Sequence, residues 1–260
     1  MNGAGLSEKA ISGGLKTRTV GRRVLYFLSL PSTMEAARLE AMTGAAEGTI
    51  VVASEQTAGR GRFARQWLSP PGSISLSAVL RPEFTSLPFM IMFSAVAVAR
   101  AIEGITGLKT QLKWPNDVLV GGKKVCGILT ESSLRDSQVD YVVTGIGINV
   151  NMRMVEFPEV SAIATSLSDE LGSEVSILEL LRRLLVEMDR LYGLLPDGEL
   201  IYKEWRQRMA MLGKRVQVIS GDDSCEGLAE DVAGDGSLLL HLDDGSMQRV
   251  LAGDVSLRVE

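Results

Sequence analysis

The stretch KWPNDVLVGGKKVCGILTES, residues 113–132, predicts a β-hairpin from which the rest of the fold can be worked out. Strand-like runs at residues 118–120 and 124–131 flank Gly121 and Gly122. A two-residue glycine turn between two such runs is a strong hairpin signal, because glycine adopts the left-handed conformation that tight turns require. We therefore expect two antiparallel strands here, with the polar residues of KWPND at the open end of the first.

The hairpin also predicts which polar side chains lie together. Counting outward from the turn gives the cross-strand pairs Val120–Lys123, Leu119–Lys124, Asp117–Cys126 and Asn116–Gly127. Since side chains alternate between the two faces of a strand, Asp117 and Lys124 should share a face. Gly127 should leave open space beside Asn116. Lys113 is the first residue of this polar cluster. One interpretation of the cluster is a ligand site, and the other is an ion pair that only stabilises the hairpin.

The other elements surround this hairpin. Apolar runs predict further strands at residues 50–53, 74–80, 109–114 and 141–150. Longer apolar or amphipathic segments predict helices at residues 89–103, 176–195 and 200–211. Ser176 and Glu179 form a capping box that should begin the second of these helices.

The pattern of predicted secondary structure changes after Gly213. The remaining sequence consists of the short strand-like runs KRVQVI, CEGLAEDV, SLLLHL, MQRVLA and VSLRVE, separated by GDD, GDG, DDG and GD turns. This spacing predicts a small antiparallel barrel. We therefore expect two domains, residues 1–212 and residues 213–260.

Composition narrows the function. The net charge of −5 is atypical of a dedicated duplex-DNA binder, since such domains are usually basic. The two cysteines are far apart, which suits a reducing cytoplasm. The N-terminus lacks an apolar signal core, and residues 87–99 are too short to span a membrane and indicate a buried helix. With His241 the one histidine, His-centred triads and multi-His zinc sites are disfavoured, so the chemistry should use Arg, Lys, Asp and backbone groups, as phosphate chemistry does.

An arginine-rich loop, GRGRFAR at residues 59–65, is the second candidate for chemistry. Its glycines let the backbone approach a ligand, and arginine provides forked donors for carboxylate and phosphate. The pattern also matches the dinucleotide fingerprint G-x-G-x-x-A, but WLSPPG follows at residues 67–72, where no helix can start. A solvated basic loop and a groove for single-stranded nucleic acid are the remaining alternatives.

Two further segments are candidates. GIGINVN, residues 145–151, is either a buried strand with an asparagine turn or a strand whose glycines admit a flat ring and whose Asn149 contacts the edge of that ring. STME, residues 32–35, has the form of a capping box that begins a helix, and a helix N-terminus also offers free N–H groups to a ligand.

Taken together, these motifs resemble those of the biotin protein ligases. QTAGRGRFARQW (56–67) is similar to that family's biotin-binding loop, KWPND (113–117) to its second signature, and KKVCGILTES (123–132) and GIGINVN (145–151) to two of its strands. The resemblance covers roughly residues 15–259. Ala64 stands where the family commonly has Gly, and Met34 where many members have Asn. Residues 1–25 are too few for the DNA-binding helix-turn-helix of many members, so we expect the short form of the enzyme.

The resemblance implies an α+β fold. Its catalytic domain would be a mixed-sheet, class II synthetase-like biotin ligase domain, followed by a small SH3-like C-terminal β-barrel. It also implies the reaction, in which biotin and MgATP give biotinyl-5′-AMP, and the biotinyl group then passes to a lysine of a biotin carboxyl carrier protein.

Residue roles follow from the same resemblance. The residues implied for biotin binding are Ser32, Thr33, Met34, Gln56, Arg60, Gly61, Arg62, Lys113 and Gly127. Those implied for ATP or the adenylate are Arg65, Trp67, Asn116 and Asn149, with Trp67 stacked on adenine. The implied catalytic residues are Lys113, Arg60, Arg62, Asp117 and Lys124. Asp117 would orient or deprotonate the acceptor amine, or help to hold Mg²⁺.

Two other functions are compatible with these motifs. A lipoate-type protein ligase would share the fold and the adenylate chemistry, and a non-catalytic biotin sensor would share the biotin site. We expect an enzyme of the cytoplasm, with no nucleic-acid or membrane partner, and exposed strand edges are compatible with a homodimer. The C-terminal domain either stabilises the chain or closes the nucleotide site and docks the carrier protein.

Overall fold

The computed structural model describes residues 5–220 and 223–257. Its larger sheet consists of β1 (Arg23–Phe27), β2 (Thr49–Ala53), β3 (Ser73–Leu80), β4 (Thr110–Lys113), β5 (Asp117–Val120), β6 (Lys123–Arg135) and β7 (Gln138–Asn149). The strand order is β1-β2-β3-β7-β6-β5-β4; β1 and β2 run parallel, and the other neighbours run antiparallel. The expected α+β class with a mixed sheet is confirmed.

The described helices are α1 (Glu8–Ser12), α2 (Thr33–Met42), α3 (Met90–Thr106), α4 (Leu167–Leu171), α5 (Ile177–Tyr192) and α6 (Glu199–Gln207). One half of the predicted capping box of α5 is confirmed: the hydroxyl of the N-cap residue Ser176 accepts a hydrogen bond from the Glu179 N–H at 3.3 Å. Helix α6 ends earlier than expected, because Arg208 and Ala210 form backbone hydrogen bonds with Leu112 in β4 instead of extending the helix.

Helix α3 lies at the centre of the molecule. It packs against α5 and α6 and against the sheet, which explains why it is apolar on nearly every side. The segment Phe84–Thr106 is long and apolar enough to cross a membrane by length and composition. However, 67% of its most apolar window is buried inside the fold, so this segment is the core helix that the sequence predicts.

The predicted hairpin is present, but its register changes midway. The pairs Val120–Lys123 and Leu119–Lys124 form as expected. A β-bulge then follows Leu119, so Val118 pairs with Cys126 and Asp117 with Gly127. The predicted pairs Asp117–Cys126 and Asn116–Gly127 are therefore wrong by one residue. The bulge accommodates one extra residue of β6, a feature that turn counting does not detect.

The C-terminal residues form a second sheet of β8 (Arg215–Ser220), β9 (Asp223–Val232), β10 (Leu238–His241), β11 (Met247–Val250) and β12 (Asp254–Leu257). Its order is β11-β10-β9-β8-β12, and every pair is antiparallel. This sheet agrees with the predicted SH3-like barrel. Of the last predicted strand, residues 258–260 lie outside the described residues.

Two contacts fix this sheet against the larger one. The indole N–H of buried Trp114 donates to the Gly236 carbonyl at 2.7 Å. The Arg62 guanidinium donates to the Gly253 carbonyl at 3.0 Å. Both Trp114, next to β4, and Arg62, in the arginine loop, belong to motifs singled out in the sequence. The contacts therefore bring the start of β12 to the mouth of the candidate site.

Candidate active site

A cleft of about 300 Å³ lies over β6 and β7. Its walls are the start of α2, the arginine loop, the segment that follows β7, and Asp254 of the C-terminal sheet. The predicted site residues that line it are Ser32, Thr33, Met34, Gln56, Arg60, Gly61, Arg62, Arg65, Trp67, Asn116, Asp117, Lys124, Gly127 and Asn149. Four motifs far apart in sequence therefore meet in one cavity.

Lys113 does not join them. It ends β4, pairs in register with Asp117, and is not among the described residues that line the cleft. Lys113 therefore lies next to Asp117, at the border of the polar cluster to which the sequence analysis assigned it. The contact of Lys113 with biotin stays a prediction.

Glycines form the floor of the cleft, and the protein's own side chains fill the space that they leave. A Cβ atom on Gly147 would lie 2.4 Å from Cε2 and Nε1 of the Trp67 indole. A Cβ atom on Gly145 would lie 2.5 Å from Sδ of Met34. A flat ring does rest on the GIGIN strand, and that ring is Trp67.

The glycine floor gives a direct test. Gly147→Ala should push the indole out of place, and overpacking of this kind costs about 1–3 kcal/mol. We expect a lower melting temperature or roughly tenfold weaker biotin binding, since 1.36 kcal/mol corresponds to a factor of ten. Calorimetry measures both effects. Gly234→Ala is the control, because a Cβ atom there meets no atom within 4 Å; equal behaviour of the two variants would contradict the role of the floor.

At the start of α2, a hydrogen-bonded group faces the cleft. The side-chain carbonyl of Gln56 accepts from the Thr33 N–H at 2.8 Å and from the Thr33 hydroxyl at 3.1 Å. The Ser77 hydroxyl donates to Thr33 at 2.8 Å. These bonds fix the orientation of Gln56 and leave its amide N–H groups for a ligand.

The predicted capping box at residues 32–35 is only half right. Ser32 is the N-cap of α2, but its hydroxyl makes no capping hydrogen bond. Glu35 contacts the Arg60 guanidinium instead of the backbone. The buried Ser32 hydroxyl is thereby left for another partner, which favours the ligand interpretation of this motif.

The arginine loop closes on itself. The Gly61 N–H donates to the Arg65 carbonyl at 2.8 Å, and the Trp67 N–H donates to the Gly59 carbonyl at 2.9 Å. Phe63, at the tip, has the unusual φ of 53°. The hydrogen bonds turn Arg62 inward, where its side chain is 19% exposed, while that of Arg65 is 67% exposed.

The Arg62 guanidinium is surrounded by acceptors. It lies 3.6 Å from Asp254 and 3.4 Å from the side-chain oxygen of Asn116. Burial lowers the pKa of Arg62, and the nearby carboxylates of Asp254 and Asp117 partly offset that effect. Because the pKa of arginine starts far above neutrality, the side chain stays charged. A partly desolvated cation is therefore ready for an anion in the cleft.

A second cation lies on the sheet. The Lys124 ammonium is 2.7 Å from the Asp117 carboxylate, which confirms that these two residues share a face. The same ammonium lies 5.3 Å from the centroid of the Trp67 ring. Lysine, carboxylate and aromatic ring thus come together on the floor of the cleft.

The two asparagines serve the backbone as well as the cleft. The Asn116 amide donates to the Ile128 carbonyl at 2.7 Å. The Asn149 amide donates to the Thr165 carbonyl at 3.0 Å. In each case the side-chain oxygen is the group that remains for other partners, and in Asn116 it accepts from Arg62. Both residues are thereby locked in one orientation.

Carboxylates are sparse in this site. Within residues 5–220 and 223–257 no group of three or more His, Cys, Asp or Glu side chains could hold a metal ion. Among the described residues that line the cleft, the acidic ones are Asp117 and Asp254. A divalent cation would therefore need other ligands, such as phosphate oxygens and water.

The structure adds residues that the sequence did not single out. Asp254 lies 2.5 Å from Arg65 and closes one side of the cleft. Apolar residues of the segment after β7 close another; they are Met152, Met154, Val160, Ile163 and Ala164. A carboxylate near the end of a second sheet carries no local signal of its role. The two methionines that follow GIGIN could have been noticed as an apolar continuation of that motif.

Comparisons with known proteins agree with this geometry. Residues 25–149 match the model of the Biotin/lipoate A/B protein ligase family, and residues 211–258 match that of the Biotin protein ligase C terminal domain. The chain is similar to the bifunctional ligase/repressor BirA of Bacillus subtilis, with 36% identity over 97% of this chain and 79% of that protein. It is also similar to the biotin--[acetyl-CoA-carboxylase] ligase of Paracoccus denitrificans, with 32% identity over 82% of this chain and 92% of that protein.

Solved structures show the same likeness. The biotin protein ligase of Aquifex aeolicus, in complex with biotin and ATP, superposes with a TM-score of 0.78 and 30% identity. The alignment covers 92% of this chain and all of that one.

Proposed function

The chain belongs to the biotin protein ligases of the biotin/lipoate A/B protein ligase family, and on this premise we propose how its cleft activates biotin and transfers it to a protein lysine. The observation that carries the proposal is the division of one cleft into two ends. The polar group of Thr33 and Gln56 lies beside Gly145 of β7, because Thr33 bonds to Ser77 and Ser77 pairs with Gly145. The Lys124 ammonium lies instead beside Gly127, which pairs with Gly147 further along β7, and Arg62 lies beside Asn116.

The polar end suits the ureido ring of biotin. That ring presents a carbonyl acceptor and two N–H donors. The amide N–H groups of Gln56 and the hydroxyls of Ser32 and Thr33 can donate to the carbonyl or accept from the ring. Met34 packs over Gly145 beside them and supplies an apolar wall.

The cationic end suits the reacting groups. A biotin carboxylate oxygen attacks the α-phosphorus of ATP, the bond from that phosphorus to the β-phosphate oxygen breaks, and pyrophosphate leaves with the electron pair. Both reactants are anionic, so fixed cations must offset their repulsion. Arg62 and Lys124 provide such cations inside the cleft. The side chains of Arg60 and Arg65 are more exposed, and we assign to them the outer phosphates.

The adenosine part lies towards Asn149 and the apolar segment after β7. The free side-chain oxygen of Asn149 can accept from the adenine amino group. Trp67 presents a ring on which adenine can stack, and Met152 and Met154 supply apolar contacts. These features support the adenylate role that the resemblance implied.

Magnesium fits this site with one protein ligand at most. Mg²⁺ in nucleotide sites is commonly held by one or two carboxylates, phosphate oxygens and water, and Asp117 is the carboxylate on the cleft floor. When bound, the ion supplies positive charge to the phosphates.

In the second step an uncharged lysine amine attacks the carbonyl carbon of biotinyl-5′-AMP. The bond from that carbon to the phosphate oxygen breaks, AMP leaves, and the amine loses a proton. Asp117 is the carboxylate on the cleft floor, and we assign to it the orientation of the amine or the acceptance of that proton. Asp254 is engaged by Arg62 and Arg65.

The acceptor is a biotin carboxyl carrier protein, and the setting is the cytoplasm. Curated relatives that are named for acetyl-CoA-carboxylase support this choice of acceptor. The free cysteines Cys126 and Cys225 support a reducing compartment. We also propose a domain boundary near residue 212 and no nucleic-acid partner. We propose further that the chain forms a homodimer, which sedimentation of the purified chain measures.

The overall function is tested with purified protein, MgATP and a carrier domain. Mass spectrometry should show a gain of one biotinyl group on one carrier lysine. Lipoate should not replace biotin, because its ring cannot pair with the polar groups around Gln56, and a site built for hydrogen bonds rejects analogues that lack them. Equal transfer of both acids, or no transfer of biotin, would contradict the proposal.

The C-terminal sheet takes part through Asp254. Asp254→Ala should release Arg62 and Arg65 from their carboxylate and loosen the arginine loop. Each partly exposed pair contributes up to about 1 kcal/mol, so we expect KM for ATP to rise roughly fivefold and KM for biotin to rise less. Steady-state kinetics measures both values. Asp243→Ala, which removes an exposed pair with Arg215 in the same sheet, should leave both values unchanged.

A further inference from the structure

Trp67 is wedged across two strands of the cleft floor. Gly127 of β6 and Gly147 of β7 are paired in register. A Cβ atom on Gly127 would lie 3.0 Å from the indole Cζ3, and one on Gly147 would lie 2.4 Å from Cε2. The indole nitrogen is buried and has no hydrogen-bond partner among the described residues. Packing on the glycines therefore holds the ring.

The Lys124 ammonium lies beside that ring. It is 5.3 Å from the ring centroid and 2.7 Å from Asp117. A Cβ atom on Gly127 would lie 3.2 Å from both Cε and Nζ of Lys124. The missing side chain of Gly127 thus leaves space that both the Trp67 indole and the Lys124 ammonium occupy.

We propose that Trp67 is a positioning residue for Lys124, a role that rests on the proposed function and goes beyond the stacking of adenine. Lysine has a flexible four-carbon chain, so an ammonium that must meet a developing charge has to be held before the reaction. Asp117 holds it from one side and the electron-rich face of the indole from another. Biotin and ATP then meet a cation that is already in place.

This role predicts a loss in kcat, in addition to the loss of ATP affinity that follows from adenine stacking. Trp67→Leu removes the ring, and cation–π contacts correspond to roughly 3- to 30-fold effects. We expect about a tenfold lower kcat for pyrophosphate release at saturating ATP, while the loss of adenine stacking separately raises KM for ATP. Trp67→Phe, which keeps an aromatic face, should recover most of the rate.

A double-mutant cycle separates this role from a merely structural one. If Trp67 acts through Lys124, then Trp67→Leu should slow the Lys124→Ala enzyme by less than about twofold, because the positioned group is already absent. Thermal unfolding by circular dichroism checks that each variant folds. If Trp67→Leu does not fold, Trp67→Met fills more of the same space without a ring and carries the same test.

The outcomes are distinct. A rise in KM for ATP with unchanged kcat would overturn the positioning role and leave Trp67 as an adenine platform. Full multiplication of the two single losses in the double mutant would overturn it as well. A wild-type rate for Lys124→Ala would instead remove Lys124 from the chemistry, and with it the residue assignment under the proposed function.

Discussion

Lys124→Ala is expected to slow pyrophosphate release from biotin and ATP by about 10²-fold or more, because a fixed cation in a water-poor site typically contributes that much to a charged transition state. The Lys124 side chain is 30% exposed and is held 2.7 Å from Asp117, on the part of the cleft floor where we propose that the two anions meet. Single-turnover measurement of labelled pyrophosphate isolates this step from the later transfer.

The chain offers a matched control in the adjacent residue. Lys123 is exposed, and its ammonium contacts the Ser161 carbonyl at 3.3 Å, outside the residues that line the cleft. Lys123→Ala should therefore stay within about twofold of the wild-type rate, as surface substitutions usually do. Equal rates for Lys123→Ala and Lys124→Ala would contradict the assignment.

Lys113→Ala tests whether Lys113 contacts biotin, as the sequence motif implies, or lies outside the cleft, as its position in the structure indicates. The motif KWPND implies a direct contact with biotin, which would make this variant as slow as Lys124→Ala. Lys113 is not among the described residues that line the cleft. We therefore expect Lys113→Ala to slow pyrophosphate release at least about tenfold less than Lys124→Ala does. A loss of the full size would restore its predicted contact with biotin.

Local patterns were enough to predict the hairpin and its chemistry, and long-range contacts were not. The glycine turn and strand alternation placed Asp117 and Lys124 on one face, which the ion pair confirms. The bulge beyond Leu119 was missed, because it depends on how β6 accommodates an extra residue against β5. The shared face survived the one-residue error because the pairing of Leu119 with Lys124 precedes the bulge.

The glycines of the floor show a different limit. A Gly-rich strand predicts that something flat or bulky approaches the backbone. It cannot say whether that group belongs to a ligand or to the protein. Here the indole of Trp67 and the thioether of Met34 occupy the space above Gly147 and Gly145, and both side chains come from elements distant in sequence.

The ends of the sheet were also hard to predict. Strand β1 buries one residue of its five, Val24, so it shows no alternation. The outer halves of β6 and β7 extend to Arg135 and from Gln138. Their sequence, ESSLRDSQVD, is mostly polar because most of these residues are exposed to solvent. Strand prediction relies on apolar runs, and exposed extensions of a strand have none.

Ion pairs between segments distant in sequence carried no sequence signal at all. Asp254 binds Arg62 and Arg65, and Glu35 binds Arg60. Each of these carboxylates lies far along the chain from its arginine, so no spacing rule connects them. The arginine loop was therefore predicted to be held by anions of the ligand, whereas acidic residues of the protein also contact it.

Those contacts define what the loop does once biotinyl-5′-AMP has formed. Arg62 is the inward-facing member, bonded to the Gly253 carbonyl at 3.0 Å and close to Asn116 and Asp254. A phosphate between these groups would gain a charged hydrogen bond that contributes about 1.5–3 kcal/mol. The guanidinium would thus link the adenylate to Asn116 of the main sheet and to Gly253 of the C-terminal sheet at the same time.

Arg62→Gly is therefore expected to form biotinyl-5′-AMP more slowly than the wild-type chain and to retain it poorly. The loss of a bond of this strength, with the added freedom of a third glycine in the loop, should raise the rate of adenylate release by roughly 10²-fold. Released adenylate reacts with any accessible lysine, so bulk protein added to the assay should become biotinylated at many sites. Arg62→Lys keeps the charge and should retain the adenylate better than Arg62→Gly.

Three measurements test this expectation. Rapid gel filtration of enzyme loaded with labelled biotin gives the adenylate release rate, and mass spectrometry of added serum albumin gives the number of labelled lysines. Amide hydrogen exchange across residues 58–66 should be slowed by biotin and ATP in the wild-type chain, because bound anions would add contacts to a loop that is otherwise held by a few backbone hydrogen bonds and by ion pairs of partly exposed arginines. In Arg62→Gly the slowing should be weaker, because the side chain that joins the loop to Gly253 and Asn116 is missing. An unchanged release rate would show that Arg62 does not retain the intermediate, and equal exchange with and without ligand would show that the loop is already closed.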